Sequence, residues 1–314
     1  MRLADRIVDM LRDGAWHSGV ELGDRLGVTR AAISKAVADM PDVPVKKARA
    51  GYALPATHRP LDAGRIADVV REQGVALREL VILAEIDSTN RFLLQTADAD
   101  RVACLAERQS AGRGRRGRSW VADPYSNILL SVSVRLPGAG RALGVLSLAA
   151  GVAVHGALES MGIYGASLKW PNDVLHGERK LAGILTEVRG EAEAPRVVIG
   201  VGLNCYLSPA SAALIDQPWI ALQELGGVDR SVLAGQVIAR LVQVADAYGR
   251  GETQALLAQW RRLHAYAGRA VTLLRDDGET TGTLVDIDEE GALIVRVDGR
   301  EQTVHSGEAR LRPL

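Results

Sequence analysis

The sequence predicts an α+β protein in three parts: a winged helix-turn-helix over 1–60, a mixed α/β domain over 61–266 and a small β-barrel over 267–314. Three observations predict it. Residues 1–60 carry three amphipathic helical patterns in succession, the second and third of them capped. Residues 61–266 alternate apolar strand runs with helical ones, and the remainder turns to short alternating segments broken by Gly-containing turns. A chain of 314 residues is long enough for two or three domains with a sizeable core.

In the first part, Leu3, Ile7, Met10 and Leu11 fall on one helical face. Ser18-Gly19-Val20-Glu21 is a capping box opening a second helix, whose apolar side is Val20, Leu22 and Leu26. Gly27 turns the chain, and Thr29 caps a third helix with Ile33, Val37 and Met40 inward. Its outward positions, Thr29, Arg30, Ser34 and Lys35, are the polar, hydrogen-bonding side chains that a helix in the major groove requires. Pro41 follows at once and is expected to cut this helix short. Val43–Lys47 and Gly51–Leu54 read as a hairpin wing with Lys46, Lys47 and Arg49 near its tip. Ten Lys/Arg stand against seven Asp/Glu in this segment, whereas the whole chain is neutral. That local excess suits phosphate contacts, so DNA is the expected partner, with protein docking as the alternative.

Composition excludes several classes. Zero net charge gives no global nucleic-acid signal. Cys104 and Cys205 lie far apart without metal-ligand spacing and read as small buried hydrophobes in a reducing compartment. Asp5 and Asp9 interrupt the first apolar residues, unlike a signal peptide. Leu143–Leu158 is too short for a membrane span and contains Ser147 and His155, so it reads as a buried helix. A cytoplasmic protein with no membrane partner is expected.

The central part opens after a Pro55–Pro60 linker with a capped helix from Asp62 to Gln73. Val81–Ile86 is an apolar strand, and Asp87-Ser88-Thr89-Asn90 turns into a helix with Phe92, Leu93 and Leu94. Those hydroxyls and amides suit a small polar ligand, or simply cap the helix. After a Val102–Glu107 strand comes Gly112-Arg113-Gly114-Arg115-Arg116-Gly117-Arg118-Ser119-Trp120. Glycine lets backbone N–H groups turn toward an anion, and arginine supplies forked donors for carboxylate and phosphate oxygens. Like charges and glycine entropy disfavour order in such a loop alone, so a lid ordered by an anionic ligand is expected. Gly112, Gly114 and Gly117 match the dinucleotide-binding spacing, but a strand, Ile128–Val134, follows where a helix is required.

Ser167–Trp170 then runs as a strand into Pro171-Asn172-Asp173, Val174–His176 turns at Gly177-Glu178, and Lys180–Glu187 returns. This hairpin gathers Lys169, Asn172, Asp173 and Lys180, and Gly183 in mid-strand implies a close approach to the backbone. Arg196–Gly200 is a buried strand leading to Asn204, followed by helices over Ser231–Tyr248 and Thr253–Tyr266. Val271–Leu274, Thr281–Ile287, Ala292–Val297 and Gln302–Val304, with turns at Asp276-Asp277-Gly278 and Glu289-Glu290-Gly291, give the barrel four or five strands. No Ser-His-Asp or Cys-His arrangement appears.

Three motifs now stand in order between the N-terminal helices and the C-terminal strands: Ser88-Thr89-Asn90, Gln109 with Gly112–Trp120, and Lys169–Asp173 followed by Lys180–Leu185. In that order, over essentially the whole chain, they resemble the bifunctional biotin–protein ligases that also repress the biotin operon (the BirA type). The resemblance implies a class II synthetase-like central sheet and an SH3-like C-terminal barrel. It implies that Ser88 and Thr89 bond the ureido end of biotin, with Asn90, Gln109 and Gly112 at the same ligand. Arg113, Gly114 and Arg115 would close over the biotin carboxylate and the adenylate phosphate, with Arg118 on the nucleotide and Trp120 near the adenine. Lys169, Asn172 and Asp173 would handle the phosphates, Asp173 also Mg²⁺. Lys180 would touch the reacting carboxyl, Gly183 and Leu185 would floor the pocket, and Asn204 would meet the nucleotide. Lys180, Arg115 and Asp173 are the implied catalytic set. ATP and Mg²⁺ are the implied cofactors; biotin, a biotin carboxyl carrier protein, operator DNA and a ligand-promoted second copy are the implied partners. Two alternatives stay open: a lipoate-type acyl-adenylate ligase, which needs no Ser-Thr pair, and a non-catalytic biotin-sensing repressor, against which Lys180, Arg113, Arg115 and Asp173 argue.

Overall fold

Three short helices open the chain, α1 (Leu3–Met10), α2 (Gly19–Leu26) and α3 (Arg30–Ala38). The computed structural model describes residues 2–40, 43–136, 143–190, 195–275, 278–305 and 310–313; Pro41 and the Asp276-Asp277 turn lie outside them. Ser18 Oγ accepts from Glu21 N and Thr29 Oγ1 from Ala32 N, each satisfying a donor that the first helical turn leaves free. Ile7, Leu11, Leu22, Ile33 and Val37 close a small core of their own. Thr29, Arg30, Ser34 and Lys35 are exposed. A hairpin follows, β1 (Lys46–Ala48) and β2 (Gly51–Ala53), with exposed Lys46, Lys47 and Arg49 along its first strand and turn. Tyr52 exchanges both backbone hydrogen bonds with His17, which fastens the hairpin to the helices.

A seven-stranded mixed sheet forms the centre, in the order β3-β4-β5-β9-β8-β7-β6. The strands are β3 (Glu79–Leu83), β4 (Val102–Ala106), β5 (Ile128–Arg135), β6 (Ala166–Lys169), β7 (Asp173–His176), β8 (Arg179–Arg189) and β9 (Arg196–Leu203). Only β3 and β4 pair in parallel. Successive strand residues face opposite ways, and here the two faces differ. Ile128, Leu130 and Val132 of β5 and Val197, Ile199 and Val201 of β9 join one large core with the helices α4 (Ala63–Glu72), α6 (Leu143–Ser160), α8 (Arg230–Gly249) and α9 (Thr253–Leu263). The alternate residues, among them Ser131, Gly200 and Gly202, face α5 (Thr89–Gln95) and the candidate site.

Among the predicted boundaries that move, two do so for a plain tertiary reason. The strand expected over Val81–Ile86 lies over Glu79–Leu83, because Glu79 to Leu83 match Val102 to Ala106 residue for residue. The helix expected to reach Tyr266 stops at Leu263, where the chain extends so that Ala265 N donates to Leu168 O on the sheet edge. The C-terminal strands, β10 (Ala270–Arg275), β11 (Gly278–Ile287), β12 (Leu293–Val297), β13 (Arg300–Val304) and β14 (Arg310–Pro313), form an antiparallel sheet in the order β13-β12-β11-β10-β14. Its fifth strand, β14, had no counterpart among the four segments named from sequence. This sheet shares the large core, and Trp170 Nε1 donates to Gly291 O across the junction at 3.0 Å. Among the described residues no helix is long and apolar enough to cross a membrane.

The junction with the N-terminal helices is polar and fully buried. Arg230 and Glu107 pair at 2.9 Å with side chains 8% and 4% exposed. Arg230 also donates to Arg59 O, and Glu107 accepts from Leu61 N, so both charges close on the linker backbone. Buried charges of this kind are costly unless they are paired and hydrogen-bonded, and here the linker backbone and Asn127 O supply partners. From the central domain Tyr125, at φ +57°, inserts into the N-terminal core beside Ile7, Val8, Leu11 and Leu54.

Candidate active site

The site grows from a register. On the open face of the sheet, Gly183 of β8 pairs with Gly202 of β9, and Leu185 pairs with Gly200. Three glycines at adjacent positions leave a trough where side chains would otherwise stand. It holds a cleft of about 570 Å³ lined by residues from every motif named above. Ser88, Thr89, Asn90, Gln109, Arg113, Gly114, Arg115, Arg118, Trp120, Lys169, Asn172, Asp173, Lys180, Gly183 and Leu185 all line it.

One end is a connected polar network. Gln109 Oε1 accepts from Thr89 N and Oγ1 at 2.8 and 3.1 Å. Ser131 Oγ lies 2.7 Å from Thr89 Oγ1 and 2.6 Å from Asn90 Oδ1, which compete for its single proton. Asn90 Nδ2 donates to Leu185 O and to Glu187 Oε2, the latter at 2.7 Å. Glu187 closes the chain by receiving Arg113 Nη2 at 2.9 and 3.0 Å. Gly200 is required here, because a Cβ would sit 2.9 Å from Asn90 Cγ. Ser88, Thr89 and Asn90 are all buried, so this end is a preformed, water-poor set of donors and acceptors, neutral but for the Glu187–Arg113 pair that closes it.

The other end is cationic. Lys180 Nζ lies 2.6 Å from Asp173 Oδ1, both side chains 16% exposed. Lys169 stands nearby; burial, with Lys180 and Arg118 adding to it, holds its ammonium below the ordinary lysine range, while Asp173 opposes. Arg115 is likewise held below its ordinary value by burial and by Arg116. Lys169, Lys180, Arg115, Arg116 and Arg118 outnumber the carboxylates of Asp173, Glu178 and Asp216 in the same lining, a balance that favours an incoming anion. Asn172 is fixed by donating to Ile184 O at 2.8 Å.

The glycine-arginine stretch folds as a closed hairpin. Trp120 N donates to Gly112 O, and Gly114 N to Arg118 O, while Arg116 and Gly117 take the left-handed backbone that the turn requires. The sequence predicts a loop poorly ordered until a ligand arrives; the structure gives it cross-bonds of its own. The Trp120 indole covers the glycine trough, and Lys180 Nζ sits 5.5 Å from its ring centroid. A Cβ on Gly202 would come within 2.8 Å of the indole Cδ2 and Cζ2, and one on Gly183 within 2.9 Å of Cζ3.

Two predicted residues stand outside the lining. Gly112 is buried behind it, between Gln109 and Trp120. Asn204 turns its amide to the carbonyls of Ile220 and Lys180, at 3.2 and 3.4 Å, and holds the base of a loop. Conversely, Ser131 and Glu187 belong to the network and were not singled out from sequence. Their signal was a period of two: Ser131 and Ser133 in an apolar strand, and Glu187 two and four residues beyond Leu185 and Gly183.

Comparison with known proteins agrees with this geometry. Residues 82–204 match the model of the biotin/lipoate A/B protein ligase family, and 266–312 that of the biotin protein ligase C-terminal domain. The chain is 38% identical to the bifunctional ligase/repressor BirA of Salmonella typhimurium, over 98% of this chain and 96% of that one. It is also 38% identical to the biotin–[acetyl-CoA-carboxylase] ligase of Mycobacterium tuberculosis, over 79% of this chain and 95% of that one. The solved biotin protein ligase of Aquifex aeolicus, in complex with biotin and ATP, superposes with a TM-score of 0.67 at 28% identity, covering 76% of this chain and all of that one. With near full-length identity and the same two domains in the same order, the chain belongs to the biotin protein ligases of the biotin/lipoate A/B protein ligase family.

Proposed function

We propose that this chain joins biotin to a lysine of a biotin carboxyl carrier protein in two steps, and that the intermediate also serves as corepressor. The observation that carries the reading is one cleft with two chemistries. Its end of buried Ser88, Thr89 and Asn90 with half-buried Gln109 suits the ureido ring, and its Lys169-Asp173-Lys180 end suits phosphates and a reacting carboxylate. In the first step a biotin carboxylate oxygen attacks the α-phosphorus of ATP, pyrophosphate leaves, and a mixed anhydride with AMP remains. Two anions must meet, and Arg113, Arg115, Arg118 and Lys180 offset their repulsion as charge builds on phosphorus. Mg²⁺ binds through one or two carboxylates plus substrate phosphates, and Asp173, a carboxylate in the cleft lining beside Lys169 and Lys180, would hold it there. When bound it would neutralise phosphate charge. Trp120 and the hairpin around it cover the anhydride against water. In the second step the acceptor ε-amine, deprotonated, attacks the acyl carbon and AMP departs.

The N-terminal helices and hairpin are read as a winged helix-turn-helix, with Thr29, Arg30, Ser34 and Lys35 toward bases and Lys46, Lys47 and Arg49 toward phosphates; all seven are exposed. The C-terminal sheet is read as an SH3-like barrel. Two copies brought together by the bound intermediate would match a two-fold operator.

The deciding experiment incubates the protein with ATP, Mg²⁺, biotin and a carrier domain and reads the mass of the carrier. A biotinyl shift is expected; no shift, or a shift with lipoate in place of biotin, overturns the ligase reading as stated. A band-shift on a biotin-gene promoter, strengthened by biotin and ATP, tests the corepressor role.

A further inference from the structure

The segment leaving the lid makes a second set of contacts that the reaction chemistry does not use. Three residues past Trp120, the Asp123 carboxylate receives three hydrogen bonds from one stretch of chain 85 to 88 positions away. Ser208 N donates to Oδ2 at 2.7 Å, and Ser208 Oγ and Ser211 Oγ donate to Oδ1 at 2.8 and 2.7 Å. Ser208 Oγ in turn accepts from Ser211 N, so the carboxylate fixes the cap of the short helix α7 (Pro209–Ala212). The same segment's Asn127 Oδ1 takes the N–H groups of Cys205 and Tyr206.

These residues begin a loop that returns to the cleft. Its far end is tied to Lys180 itself: Lys180 N donates to Pro218 O, and Ile220 N donates to Lys180 O, both at 2.9 Å. Leu222 N to Asn204 O closes the base. Between the two anchorages, Asp216, Gln217 and Pro218 form the cleft wall on the Lys180 side. That is the phosphate-bearing side, opposite the Ser88-Thr89 end.

We propose that Asp123 is a positioning residue for the nucleotide: its carboxylate holds the first turn of the 205–222 loop so that Asp216, Gln217 and Pro218 stand beside Lys180. The inference rests on ATP occupying that side of the cleft. It predicts an effect confined to the nucleotide, since nothing in the biotin-end network touches Asp123. A charged acceptor of three donors is among the stronger hydrogen-bonding arrangements, and losing it frees the loop rather than the sheet.

The test uses the full chain and biotin-dependent ATP–pyrophosphate exchange. Asp123→Ala is expected to raise the KM for ATP about tenfold, with kcat and the KM for biotin within about twofold. Asp123→Asn, which keeps one acceptor oxygen, falls between. Ser208→Ala/Ser211→Ala reproduces Asp123→Ala from the other side, and combining them adds little. An unchanged KM for ATP, or equal losses for both substrates together with a lowered melting temperature, overturns the proposal. Hydrogen exchange over residues 213–217 in the ligand-free protein separates this from failure of the ligase reading. Faster exchange in Asp123→Ala, in a parent without exchange activity, refutes the nucleotide assignment and with it the proposal's functional half. Unchanged protection refutes the clamp itself.

Discussion

Gly202→Ala puts a methyl group where the Trp120 indole rests. Its Cβ would stand 2.8 Å from Cδ2 and Cζ2, with Cε2 closer still. Carbon atoms in contact ordinarily keep about 3.5–4.0 Å, so the indole must retreat by roughly 1 Å or leave the trough. Overpacking of this size costs about 1–3 kcal/mol. The indole carries one end of the hairpin, so that cost falls on the closed form and raises the open fraction about 5- to 150-fold. Arg115, Arg116 and Arg118 make the loop a substrate for trypsin once open. Cleavage there, followed by the mass of the fragments, tracks the open population when opening is fast. The expected result is a nicking rate raised by at least fivefold in Gly202→Ala. In a Trp120→Ala background the methyl has no ring to meet, and the same substitution is expected to change nothing. Equal effects in both backgrounds would show that the indole is not seated on Gly202, and the reasoning would fail.

Further outcomes are expected together. Lys180→Ala should abolish adenylate formation while biotin binding is weakened rather than lost, read by pyrophosphate exchange and by calorimetry. Glu187→Ala removes the acceptor shared by Asn90 and Arg113. Because both members of the pair are partly exposed, the stability loss should be only about 1 kcal/mol, but the KM for biotin should rise about tenfold. His58 is pushed down to about 4, chiefly by burial and then by the Arg230 cation. Between its ordinary value, about 6.5, and 4 the unfolded chain takes up a proton that the folded one refuses. Stability from this group is therefore lost as pH falls through that window, by about 1.4 kcal/mol per unit, and His58→Phe should flatten the slope in denaturant titrations. His17, raised above its ordinary range by its hydrogen bond to Glu21, works the other way, contributing below 6.5 and fading as pH rises through its folded value.

Local chemistry was legible where the signal is short-range. The caps at Ser18, Thr29 and Asp62, the Lys169–Glu187 hairpins and the long apolar helix all follow from residues within one or two turns of each other. Partners fixed only by sheet register were not. Glu187 meets Arg113 across 74 positions, and Ser131 meets Thr89 across 42, because β5, β9 and β8 lie side by side. Asn204 shows the same limit from the other side: its motif suggests a ligand, yet the nearest carbonyls belong to the base of its own loop. The glycine in mid-strand was correctly read as a close approach. That the approaching group includes the chain's own tryptophan needed the fold.

Only four residues separate Trp120, over the trough, from Tyr125, sunk among Ile7, Val8, Leu11 and Leu54. At roughly 3.3–3.6 Å per residue, five steps of chain hold the two within about 18 Å of each other. Tyr125 N is moored to Glu107 O, and Asp123 to the neighbouring loop. The lid and the footing of the first three helices are therefore joined directly by a short run of covalent backbone.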